Sequence, residues 1–114
     1  MEQKNQTVVC FDVDDTIVIW GSNCDQSRLV GFNNYGYTEY LLPHAKHIEQ
    51  LKLHHENGHL VIVWSQNGAD WCNEVITKLG LTKYVDVMLT KPECYYDDLD
   101  CKVWMGERIY FKYE

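Results

Sequence analysis

Apolar and polar positions alternate along this chain in blocks that switch period. Val8-Val9-Cys10-Phe11 is a β-prone apolar run that leads straight into Asp12-Val13-Asp14-Asp15-Thr16. The pattern predicts a first strand over 7–12 and a second β-prone stretch over 17–20. Gly, Asn and Ser enrich the stretch from Gly21 to Tyr37, which is loop or hairpin composition. Pro43 then suits the first turn of a helix, with Ala45, Ile48, Leu51 and His55 on one face and Gly58 at its stop. Leu60-Val61-Ile62-Val63-Trp64 is continuously apolar, as expected of a parallel strand covered on both faces. A second helix is predicted over 70–79, with Trp71, Val75 and Leu79 inward. A strand over 84–89 follows. Cys94-Tyr95-Tyr96 reads as a short strand and Arg108-Ile109-Tyr110-Phe111 as the last one. Alternating strands and helices predict one α/β domain over residues 1–114, with a mainly parallel sheet.

Acids mark the exit of the first strand. Asp12 and Asp14 are two apart, so in an extended chain both carboxylates lie on one face. Two crowded carboxylates are costly unless a cation or a proton compensates. In open α/β sheets the carboxyl ends of strands are where ligands bind. Other exits also carry chemistry: Ser65 after the 60–64 run, Lys91 after the 84–89 run, and the pair Asp97-Asp98 after Tyr95-Tyr96.

Composition narrows the function classes. The net charge of −7 works against long-range attraction of nucleic acid or an anionic membrane. No apolar run is long enough to span a membrane, and the polar opening Met1–Gln6 carries no signal-peptide pattern. The five cysteines, Cys10, Cys24, Cys72, Cys94 and Cys101, form no CxxC pair and no zinc spacing. They read as reduced thiols, mostly packing residues, in a cytoplasmic protein. His44, His47, His54, His55 and His59 lack acids at ligand spacing and read as surface residues. Trp20, Trp71 and Trp104 read as core.

The ordered set Phe11-Asp12-Val13-Asp14-Asp15-Thr16, Val63-Trp64-Ser65, Thr90-Lys91-Pro92 and Tyr95-Tyr96-Asp97-Asp98 resembles the haloacid dehalogenase superfamily of phosphatases and phosphotransferases. The stretch 64–81 and the ending Trp104–Tyr110 resemble its small members from phages and bacteria. The resemblance implies a Rossmann-like three-layer domain with a minimal or absent cap, since only fifty residues separate Asp14 from Ser65. It implies Asp12 as the nucleophile, Asp14 as the acid and base, and Ser65 and Lys91 as holders of the phosphoryl oxygens. It also implies a magnesium ion bound by Asp12, Asp14 (through its main-chain carbonyl) and Asp97, with Asp98 acting through a water or orienting a neighbour. The expected activity is hydrolysis of a phosphomonoester, either a small phosphorylated metabolite or a macromolecule, with nucleic acid less favoured. A capless member can also close its site by oligomerising.

Two departures stand out. Asp15 occupies a position where the family usually has Gly; Asp tolerates unusual backbone angles better than most residues. Only five residues separate Lys91 from Asp97, so that link should be a loop. Two other readings compete. A response-regulator receiver is also phosphorylated on Asp, but it needs its acceptor Asp after the middle strand, where this chain has Ser65. A non-catalytic scaffold would have less reason to keep Asp12, Asp14, Lys91 and Asp97 together.

Overall fold

The structure is a computed structural model and describes residues 6–113. Its centre is a three-stranded parallel sheet of order β1-β5-β6, made by β1 (Val8–Asp12), β5 (Leu60–Ser65) and β6 (Val87–Thr90). Val8 to Asp12 pair with Leu60 to Trp64, and Ile62 to Ser65 pair with Val87 to Thr90. This register brings Asp12, Ser65 and Thr90 to one end of the sheet. Lys91 is tied there by its own N–H, which donates to the Ser65 carbonyl at 2.9 Å. Helix α1 (Ala45–Glu56) packs on β5, and α2 (Ala69–Lys78) packs on β5 and β6.

A second, antiparallel sheet of order β2-β4-β3 lies in the connection between β1 and α1. It comprises β2 (Val18–Ile19), β3 (Val30–Asn34) and β4 (Tyr37–Pro43). The two-residue loop Tyr35-Gly36 closes the β3–β4 hairpin with both φ angles positive, 51° and 90°. That conformation matches the twist of a hairpin. α2 also packs on β3, joining the two sheets. Phe32, Leu41, Leu51, Val61, Val63, Cys72, Val75 and Ile76 belong to the core shared by these elements.

β5 shows why its run is apolar throughout. Val61, Val63 and Ser65 are fully buried, while Leu60, Ile62 and Trp64 are half-buried on the other face. The central strand is therefore β5, and β1 is an edge strand.

Several expectations from sequence are corrected. Pro43 ends β4 rather than starting α1, whose N-cap is His44. The helix consequently rotates: His44, His47 and Leu51 face inward and Ala45 is exposed. His44 and His47 are thus buried, at 5 % and 3 % exposure, not surface residues. The third parallel strand is shifted to Val87–Thr90, after a 3-10 turn at Thr82–Tyr84. Neither 94–96 nor 108–111 forms a strand. Without a partner strand most of their apolar residues stay outside, Tyr96 at 98 % exposure and Ile109 at 64 %; Trp104, between the two runs, is exposed rather than core. The radius of gyration is 15.2 Å, above the ~13 Å usual for this length. The Lys91–Asp97 link is a loop, and a short helix α3 (Cys101–Trp104) follows it. Among the cysteines only Cys72 is fully buried; all five are free thiols.

Candidate active site

The first exit is a tight loop wound on one carbonyl. The N–H groups of Thr16, Ile17 and Val18 all point at the Val13 carbonyl, at 3.2, 2.9 and 3.1 Å, and Asp15 N–H donates to Val18 at 2.7 Å. Asp15 takes φ 62° there, a left-handed conformation that Asp tolerates better than most residues. The loop gives Asp12 and Asp14 different hydrogen-bond partners. Both line a cavity of about 700 Å³ that also reaches Lys91, His47, Arg108 and Tyr110. The cavity lies between the open edge of β1 and the segment 105–111.

Asp12 is half-buried and lightly bonded. The Thr16 hydroxyl donates to its Oδ2 at a long 3.5 Å. Burial pushes its carboxyl above the usual range; the Lys91 charge pulls it down, and the Asp14 charge pushes it up again. An under-bonded carboxylate beside a lysine is a usable nucleophile.

Asp14 is the opposite case. The indole N–H groups of Trp20 and Trp71 both donate to Oδ1, at 2.8 and 3.0 Å. The Ser65 hydroxyl and the Asn67 amide donate to Oδ2, at 2.9 and 3.0 Å. Four donors match the roughly four lone-pair sites of a carboxylate. They come from four parts of the chain: the end of β2, the end of β5, its exit loop and α2. Ser65 is fully buried, and its oxygen also accepts the Asn67 main-chain N–H at 2.9 Å. The Ser65 side chain therefore holds Asp14 and the exit loop.

The exit loop is itself fastened to β6. Gly68 caps α2 without a side chain and with φ 107°. The Thr90 hydroxyl supplies the missing acceptor, taking the Ala69 N–H at 3.1 Å.

The second acid pair is not brought to this place. Asp97 and Asp98 are exposed and do not line the cavity, and Asp97 Oδ1 accepts the Leu99 N–H at 3.0 Å. Among the described residues no three His, Cys, Asp or Glu side chains gather in a way that could hold a metal ion. The donors present thus do not fit a three-acid centre. They fit at most a magnesium ion that takes Asp12 as its one side-chain ligand, with other oxygens from main chain, water or substrate, a pattern magnesium accepts.

Compared with family models, curated proteins and solved structures, the chain matches none.

Some participants are invisible to a motif search. Trp20 and Trp71 look like packing residues, yet each delivers its N–H to Asp14. Asn67, two after Ser65, is in the exit-loop position that a Ser-only search ignores. His47 is a buried residue whose Nε2 accepts the Phe111 N–H at 3.0 Å, while Tyr110 donates its hydroxyl to the Asp15 carbonyl at 2.9 Å. These two bonds fasten the C-terminal segment over the cavity.

Proposed function

We propose that the protein is a phosphohydrolase of the haloacid dehalogenase type, acting on phosphomonoesters through an aspartyl-phosphate at Asp12. The observation that carries this is the convergence of Asp12, Asp14, Ser65 and Lys91 at one end of the parallel sheet, with Asp12 the weakly bonded one of the two acids. A carboxylate oxygen of Asp12 attacks phosphorus. The bond from phosphorus to the ester oxygen breaks, its electron pair stays on that oxygen, and a proton delivered at Asp14 neutralises it. Water then attacks the acyl-phosphate, Asp14 accepts its proton, and inorganic phosphate leaves with Asp12 restored. Lys91 offsets charge on the phosphoryl oxygens. Magnesium, when bound at Asp12, would supply further charge neutralisation. Asp97 and Asp98 stand outside this proposal. The cavity size suits a small phosphorylated metabolite.

The receiver reading loses its main requirement, because the central parallel strand, β5, ends in Ser65. The test is hydrolysis of an aryl phosphate by the intact chain with magnesium, compared with Asp12→Asn. Turnover in the first and none in the second is expected; equal turnover would remove Asp12 as nucleophile.

A further inference from the structure

The four donors around Asp14 are not equivalent. Ser65 is fully buried and Trp71 is 4 % exposed, each fixed inside a core element. Trp20 is half-buried and packs against Trp71 at a tilt, with ring centroids 6.2 Å apart. Trp71 is braced in turn by Phe32, edge-on at 6.1 Å. Asn67 alone is exposed, and its side chain makes one bond, to Asp14 Oδ2. Its main chain stays anchored independently through Ser65 Oγ. The amide can therefore leave without disturbing the loop, whereas no other donor can.

A carboxylate with four donors has no room for a fifth partner. If Asp14 serves an ester oxygen, one donor must withdraw. We infer that the leaving-group oxygen takes the place of the Asn67 amide on Asp14 Oδ2, while Trp20, Trp71 and Ser65 are positioning residues that keep the carboxylate aimed. This deepens the phosphohydrolase reading and rests on it. In the substrate-free chain Oδ2 accepts from Asn67. When the amide swings out, Oδ2 takes a proton from bulk solvent and passes it to the leaving oxygen as the phosphorus–oxygen bond breaks; the proton that Asp14 later takes from the attacking water is returned to solvent, so the cycle balances. The electron pair of that bond remains on the oxygen, and Asp14 returns to the carboxylate that Asn67 can bind again. The leaving group thus approaches from the 66–68 loop, on the solvent side of Asp14, with the phosphoryl group over Asp12.

Nuclear magnetic resonance separates the two kinds of donor without turnover. The chain has four tryptophans, whose indole N–H signals are individually assignable by substitution. In Asp14→Ala, the Trp20 and Trp71 indole signals should shift and those of Trp64 and Trp104 should not. With phenyl phosphate bound to Asp12→Asn, the Asn67 amide signals should move while both clamping indoles hold still. Movement of the indoles with a static Asn67 would overturn the assignment.

Kinetics give a second readout. Removal of a group that must step aside should help, so Asn67→Ala should raise kcat/KM for alkyl phosphates about threefold or more. Trp71→Phe keeps the packing but loses the N–H, and should lower kcat/KM for alkyl phosphates at least tenfold. It should cost aryl phosphates, whose leaving groups need less protonation, far less. Parallel losses in Asn67→Ala and Trp71→Phe would place Asn67 in the fixed clamp and overturn the inference. Failure of the unaltered chain to hydrolyse any ester would instead sink the phosphohydrolase reading, and the indole shifts in Asp14→Ala would still report whether the clamp exists.

Discussion

Ser65→Ala measures how much the fold depends on its site. The hydroxyl lies at zero exposure and makes two bonds of 2.9 Å, one to the Asp14 carboxylate and one from the Asn67 N–H. A hydrogen bond to a charged group contributes about 1.5–3 kcal/mol, and a neutral one about 1 kcal/mol. Alanine is smaller by one oxygen, so the cavity left is slight and the polar loss dominates. The Asn67 N–H is close to solvent and can recover water, which discounts the second bond. The expected cost is about 2–3 kcal/mol, or roughly 8–12 °C in Tm at about 4 °C per kcal/mol for a chain of this size. Urea unfolding at pH 7 followed by circular dichroism gives the number, with the slope unchanged if only stability moves. The Asp14→Ala background isolates the cause: there Ser65→Ala should cost about 1 kcal/mol, because the charged partner is gone. A loss below about 0.5 kcal/mol in the unaltered background would refute the claim that Ser65 secures Asp14.

Two further outcomes follow from burial. Burial pushes the Cys72 thiol up to about 11, with the Asp14 and Asp12 charges adding to it. Cys72 should therefore resist iodoacetamide at pH 8 in the native protein and react after unfolding; rapid native labelling mapped to Cys72 would contradict its place on the buried face of α2. Burial also lowers the affinity of His47 and His54 for protons, assisted by their neighbours His44 and His59. The groups facing His47 are His44, Tyr110, Phe111 and the Thr16 main chain, none of them an acid. The unfolded chain takes up protons near pH 6.5 while the folded one resists, so stability is level above that pH and falls below it. It levels again once the native imidazoles charge. The urea midpoint should drop between pH 7.5 and 5.5, and His47→Gln with His54→Gln should flatten that drop; an unchanged slope would refute it.

The parts of the fold legible in the sequence are those where local pattern and tertiary burial agree. Leu60–Trp64 is apolar because one face is fully buried and the other half covered, and α2 turns the expected Trp71 and Val75 inward, whereas α1 keeps only Leu51 of its expected face fully buried. The exit residues Asp12, Ser65 and Lys91 follow from strand ends, which a change of period marks. Legibility failed where one residue type serves two environments. Pro43 is equally at home in a first helical turn or at a strand end, and here the β2 pairing of Val18 with Pro43 decided. His44 and His47 look polar, yet both are buried, with their rings tilted against each other at 4.4 Å. The runs at 94–96 and 108–111 have strand composition but find no strand partner, since a strand needs a neighbour that its own sequence does not name. In the site, the acids were visible and their partners were not: an indole N–H is hidden inside a residue that reads as apolar. The Asp97-Asp98 pair was legible as a motif, but the loop that carries it leaves it outside the cavity.

In the proposed reaction Asp12, the weakly bonded acid beside Lys91, carries the phosphoryl group. The most direct measurement is to quench the protein with acid during turnover of an aryl phosphate, reduce with borohydride, and map the modified residue by peptide mass spectrometry. Reduction converts an aspartyl-phosphate to homoserine, so homoserine is expected at Asp12 and should be absent in Asp12→Asn. Homoserine at Asp14, Asp97 or Asp98, with Asp12 untouched, would contradict it.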